Sequence, residues 1–189
     1  MLDFRFLFAY DAMAWEIPKN IWRTDMKINE ALIAEFDQEI AKTKTTLGRV
    51  PNQPAFKPHA KSMSLGALAA HIAELAGFGE SVVKTPALDF SSGTYKPLPF
   101  ESAEQLVRVL EEGAARVRSA LSQVPEAGWE EPWRLSFEGK PIFEGSRFLA
   151  YREMFLNHLV HHRAQLGVYL RLNDVAVPGT YGPSADEPF

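Results

Sequence analysis

The stretch F-L-N-H-L-V-H-H-R-A-Q-L, Phe155 to Leu166, holds three of the chain's five histidines. Residues four apart on a helix lie one turn apart on the same face, so His158 and His162 can present both imidazoles to one ion. His161 points about 100 degrees away from His162 and stands outside that pair. Seven positions back, the same count places Tyr151 on the histidine face, and three positions on from His162 it places Gln165 close by. A bundle core would carry leucine there, and burying such polar groups without partners is costly. Tyr151, Gln165 and His161 are therefore the candidates for catalytic or supporting roles.

The text around this stretch predicts one long helix, from near Ser146 to about Asn173, and three more precede it. Leu32, Phe36, Ile40 and Leu47 recur at helical spacing from Asn29 to about Val50, where V-P-N-Q-P ends the run. Ser64 is a good N-cap for a second helix to about Val83, with Leu65, Leu68, Ile72 and Leu75 as its buried stripe. Ser102, with Gln105 three residues on, reads as a capping box opening a third helix whose apolar positions run from Leu106 to Leu121. Between helices two and three lies a loop bearing proline and glycine. The segment from Pro125 to Gly145, with Trp129, Trp133, Leu135, Phe137 and Phe143 around G-K-P, reads as a long crossover loop with room for a short hairpin. Four apolar stripes and no convincing strand run predict an all-α fold, a four-helix bundle with long crossover loops.

A third imidazole comes from His71, in the middle of helix two within L-A-A-H-I-A-E-L, among alanines and leucines. A neutral imidazole in that setting needs a partner, and an ion shared with helix four is a natural one. Three neutral imidazoles leave coordination positions open, the catalytic pattern for zinc, which also suits nickel or iron. Such an ion would lower the pKa of bound water and polarise an incoming oxygen or sulfur. H-x-x-x-H alone also arises by chance on solvated helix faces; the buried setting of His71 is what favours a metal. His59, in F-K-P-H-A-K-S, is expected to cap backbone near the start of helix two. Glu74 is expected to be solvated rather than bonded to an imidazole, and Arg163 to pair with a carboxylate on another helix.

Composition narrows the remaining classes. With 189 residues and 46% hydrophobic content the chain can bury a full core without a metal to hold it. A net charge of -4, with no basic stripe, lacks the footprint of a nucleic-acid binder. The absence of cysteine excludes disulfides, a thiolate nucleophile and sulfur-held zinc. M-L-D-F-R-F-L-F-A-Y is too short and too charged to span a membrane and makes a poor signal peptide, so a cytoplasmic protein without a membrane partner is expected. Residues 1–25 read as an N-terminal extension ahead of a bundle domain at 26–189. There is no H-E-x-x-H, no G-x-S-x-G, no G-x-x-x-x-G-K and no G-x-G-x-x-G. Glu153, five residues before His158, does not make the E-x-x-H pair of a di-metal bundle.

P-H-A-K-S-M-S-L-G-A-L-A-A-H-I-A-E-L at 58–75, N-H-L-V-H-H-R-A-Q-L at 157–166 and V-P-G-T-Y-G-P-S-A-D-E at 177–187, with E-F-D-Q-E-I-A in helix one, resemble the DinB-like (DinB/YfiT) superfamily of four-helix metal-binding proteins. The likeness runs from about residue 26 to the end. It implies that His71, His158 and His162 bind one divalent ion, nickel or zinc, with iron as a further candidate. Ala164 departs from the pattern, since relatives often carry glycine there, but no ligand is lost. The resemblance also implies a homodimer and, by analogy with relatives that use bacillithiol or mycothiol, a metal-dependent transferase acting on a small-molecule thiol. A metal-dependent hydrolase and a non-enzymatic metal-binding bundle are the alternatives. A thiol transferase should have cationic or polar groups at the metal edge, and a structural site should enclose its ion.

Overall fold

A computed structural model describes residues 26–93 and 95–188; the predicted extension at 1–25 lies outside the described residues. Four helices carry the fold: α1 (Ile28–Leu47), α2 (Leu65–Lys84), α3 (Ala103–Leu121) and α4 (147–172). Their starts follow the sequence signals. Ser64 Oγ accepts from Ala67 N at 3.3 Å, Ser102 Oγ from Gln105 N at 3.2 Å and Ser146 Oγ from Leu149 N at 3.3 Å, each satisfying an otherwise orphaned N–H. The capping box closes one residue early, with Gln105 Oε1 accepting from Glu101 N at 2.9 Å.

Each of α1 and α2 packs against both α3 and α4, so α1 and α2 face each other diagonally and the 48–64 connection crosses the bundle. The interior is built from Phe36 of α1, Leu68 and Ile72 of α2, Leu110 and Val117 of α3, and Phe155 and Leu159 of α4, all essentially inaccessible. Close approach of α2 to its neighbours depends on small residues. A Cβ added at Gly79 would lie 2.8 Å from the Phe155 ring, and one at Gly113 would lie 2.8 Å from Ala76 Cβ. α2 is thus held tightly between α3 and α4, which is the geometry a site shared by α2 and α4 needs.

The expected helical fold holds with one addition, a small three-stranded sheet, β1 (Ala87–Asp89), β2 (Pro132–Phe137) and β3 (Lys140–Ser146), in the order β1-β2-β3. β2 and β3 form the antiparallel hairpin for which the sequence left room, and Glu138 and Gly139, both with positive φ, make its two-residue turn. β1 adds in parallel, with Leu88 opposite Leu135. Asp89 pins the edge: its carboxylate accepts from Ser136 Oγ at 2.6 Å, Ser91 N at 2.7 Å and Gly139 N at 3.3 Å. The Ser136 and Ser91 hydrogen bonds hold its pKa well below the usual carboxylate range. The sheet covers the end of α2, and its buried Trp133 and Leu135 face the bundle.

α4 is not uniform. After one α-helical turn, Arg147–Leu149, it takes π geometry over Ala150–Leu156 and returns to α geometry at Asn157–Leu172, with Asn157 N bonded to Arg152 O. The buried Arg147 joins the start of α4 to the end of α2: it donates to Val83 O, to Thr85 O at 3.4 Å and to Gly128 O at 3.2 Å, and pairs with Glu131 at 2.8 Å. A cation at a helix C-terminus complements its exposed carbonyls and dipole. From that junction, His71 lies twelve residues back along α2 and His158 eleven residues on along α4. Similar counts along two antiparallel helices bring the two side chains together.

Candidate metal centre

Three imidazoles meet between α2 and α4. His71 Nε2 is 3.3 Å from His158 Nε2, and His158 Nε2 is 2.7 Å from His162 Nε2; ligand atoms of all three lie within 4.8 Å of one another. All are half-buried. The α4 pair follows from its four-residue spacing, and His71 joins it because the Arg147 junction sets the two helices in antiparallel register.

Hydrogen bonds to the outer ring nitrogens fix the tautomers. His158 Nδ1 lies 3.2 Å from Met154 O, a carbonyl that only accepts, so Nδ1 carries the proton and Nε2 a lone pair. His162 Nδ1 likewise donates to Gln165 Oε1 at 2.7 Å. Two lone pairs therefore face each other at 2.7 Å, an arrangement that repels unless a positive charge sits between them. Protonating an imidazole would relieve it, but burial opposes that. Burial first, then the charges of His162 and His158, pull the His71 pKa down to about 4. Burial is also the leading cause lowering those of His158 and His162. An ion held at about 2.0–2.1 Å by imidazoles sets its ligand atoms roughly 3 Å apart, so the donor set, its tautomers and its spacing fit a divalent metal.

Without metal, these shifts make the protein acid-sensitive. The folded-state pKa values lie below the ordinary 6.5, so the unfolded chain takes up protons first. The stability contributed by the neutral triad is complete above that pH and is lost as pH falls toward 4. Chelated protein is expected to reach its urea midpoint at a lower concentration at pH 5 than at pH 7.5, and the difference should shrink in His71→Leu. An equal midpoint at both pH values would contradict the burial of the triad.

The other sequence candidates are dispersed. Gln165 is where its spacing put it, supporting His162. His161 is exposed, its ring 5.0 Å from that of His162. Tyr151 is not brought to the triad: fully buried, it packs on Trp129 at 5.9 Å and Phe155 at 5.3 Å, and its hydroxyl has no hydrogen-bond partner among the described residues. His59 accepts through Nδ1 from Lys61 N at 3.1 Å, a local backbone cap ahead of α2. Glu74 is not left to solvent: it accepts from Tyr95 Oη at 2.9 Å and Leu98 N at 3.1 Å, tying the loop after the sheet edge to α2. Arg163 pairs with Glu39 on α1 at 2.5 Å, and both are buried. Burial pushes the Glu39 carboxyl up, but hydrogen bonds from Tyr181, Lys42 and Arg163 outweigh it and hold the group below its ordinary value.

Beside the triad opens a pocket of about 570 Å³, lined by His71 and His158 at one end and by Phe78, Phe90 and Leu135 further along. Helical spacing carried a signal for it: Glu74, Leu75 and Phe78 lie three, four and seven residues beyond His71, on its face of α2. No helix among the described residues is long and apolar enough to cross a membrane.

A family model described as the DinB superfamily matches residues 35–166. The fold is similar to that of a DinB-like protein from Bacillus cereus ATCC 10987, at 21% identity and a TM-score of 0.62 over 82% of this chain and 98% of that one. It is also similar to that of a DinB-like protein from Bacillus subtilis, at 17% identity and a TM-score of 0.60 over 79% of this chain and 96% of that one. A search of curated proteins gave no match.

Proposed function

The chain belongs to the DinB superfamily, and on that premise we propose that His71, His158 and His162 hold one divalent ion, nickel or zinc first and iron second, and that the protein transfers a low-molecular-weight thiol to a small-molecule electrophile. The observation that carries the metal is the convergence of three half-buried imidazoles, with the Nε2 atoms of His158 and His162 only 2.7 Å apart. An ion there supplies Lewis-acid charge, which lowers the pKa of a thiol or water beside it. The chain's own groups do the rest. Met154 O and Gln165 Oε1 orient the imidazoles through their outer N–H groups. The adjoining pocket leaves the triad accessible to a small molecule, which argues against a sealed structural site.

One feature favours a second reading. Arg116 is the cation in the pocket lining, and its Nε is 2.8 Å from Glu80, so no uncommitted cation awaits the carboxylates of a thiol cosubstrate among those lining residues. Hydrolysis of an ester or amide by activated water needs no such cation. The test uses protein loaded in turn with nickel, zinc and iron. A chromogenic aryl halide is supplied with bacillithiol, mycothiol or cysteine, and 4-nitrophenyl acetate is supplied without thiol. Thiol-dependent product with the halide supports transfer; ester turnover without thiol supports hydrolysis. Neither activity in any metal form would leave a metal-binding protein without the proposed reaction.

A further inference from the structure

The pocket beside the triad is specialised along its length. Its far end is walled by aromatic and aliphatic side chains, with Phe78 backed edge-on by Trp133 at 6.4 Å and Trp133 in turn by Phe143 at 6.2 Å. Phe90 stands at the rim 49% exposed, its ring 6.0 Å from Phe78, and Tyr95 is 62% exposed. Large exposed aromatics gathered at one cavity mouth leave apolar area that an occupant would remove from water.

The charges on the wall are already engaged. The Glu74 carboxylate takes donors from Tyr95 and Leu98, that of Asp89 takes donors from Ser136, Ser91 and Gly139, and Arg116 is paired with Glu80. Away from the His71–His158 end, an anionic body would meet two carboxylates and one cation already paired, whereas an uncharged one meets a surface that asks only for contact. Its volume suits a molecule of one or two rings.

The geometry points to a substrate with an uncharged apolar body, aromatic or branched aliphatic, seated between Phe78, Leu88, Phe90 and Leu135, with its reacting polar atom at the His71–His158 end. The position of the reacting atom rests on the metal reading above; the seat for the body does not. Phe90 and Phe78 are then the residues that set specificity, from the short turn after β1 and from α2 respectively.

The test compares two fluorescent probes with the same body: neutral N-phenyl-1-naphthylamine and its sulfonate, 8-anilino-1-naphthalenesulfonate. Both are titrated into the full chain, metal-loaded and chelated. In the chelated protein, where no ion can hold the sulfonate, the neutral probe is expected to saturate one site and to bind at least about tenfold tighter than the sulfonate. Phe90→Ser, at an exposed position, is expected to weaken the neutral probe at least about fivefold with the circular dichroism spectrum unchanged. Val168→Ser, in the separate groove between α4 and the C-terminal tail, should leave it unchanged. Failure of the neutral probe to saturate, equal or tighter binding of the sulfonate by the chelated protein, or sensitivity to Val168→Ser instead of Phe90→Ser would each overturn the inference. Metal content is measured in parallel, so the two readings can fail separately. Probe binding without metal retention removes the metal reading alone, and metal retention without probe binding removes the apolar seat alone.

Discussion

Tag-free protein carrying His158→Ala is expected to retain less than about a tenth of the divalent metal held by the unsubstituted chain, with affinity reduced by more than about 100-fold. His158 is the residue to choose because it is central: its Nε2 is the one in direct approach to both other imidazoles, at 3.3 Å from His71 and 2.7 Å from His162. The half-buried side chain can shrink to alanine without emptying the core, so a folded variant is expected. Two controls separate ligation from a general effect of removing imidazole. His161→Ala, at an exposed neighbour, should keep its metal, and Gln165→Ala should lose affinity by about 10- to 100-fold through the freed His162 ring. Elemental analysis after extensive dialysis, followed by competition with a chromogenic chelator, reads all three. Equal metal in His158→Ala and the parent would remove the triad as the metal site.

Arg163→Met is expected to destabilise the fold by about 3–5 kcal/mol, a large part of the net stability of a domain this size. Arg163 is 3% exposed and Glu39 5% exposed. The guanidinium also donates to Glu39 O at 3.0 Å, Thr43 Oγ at 3.2 Å and Tyr181 Oη at 2.6 Å. Removing the cation leaves the buried Glu39 carboxylate with only Lys42, at 2.9 Å, and the Tyr181 hydroxyl as partners, which is the costly half of breaking such a pair. Removing both partners in Arg163→Met/Glu39→Met should recover most of the loss, because two apolar side chains need no compensation. Guanidinium denaturation of the two single variants and the double one gives the cycle directly. A loss of less than about 1 kcal/mol in Arg163→Met would mean that water reaches the pair.

Much of this architecture could be read from residue spacing. The apolar stripes, with the caps at Ser64, Ser102 and Ser146, located all four helices to within a few residues, since caps and periodicity are local properties of the chain. The histidine triad was legible for the same reason, as one four-residue pair plus a lone imidazole in an apolar helix. The departures arise where geometry is not local. β1 is three residues long and gains strand character only by pairing with β2 more than forty residues away. Tyr151 was counted onto the histidine face with 3.6 residues per turn, but the π segment at Ala150–Leu156 has wider turns, so counting back across it misplaces the face. Asp89 gave no signal because its donors Ser136 and Gly139 come from the distant hairpin. Glu74 was assigned by its position on α2, whereas its partners Tyr95 and Leu98 belong to a loop some twenty residues on.

His71 and His158 touch across 87 positions of sequence. An ion gripping both would act as a reversible cross-link, closing a long loop of chain and removing conformations from the unfolded ensemble more than from the folded one. Free metal then becomes a thermodynamic variable of the fold itself: each tenfold rise above the dissociation constant adds about 1.4 kcal/mol to the folded state. A melting temperature for such a protein has meaning only beside a stated metal activity. By the same linkage a chelator would act on the bundle as a mild denaturant, loosening α2 from α4 without touching any residue of the core.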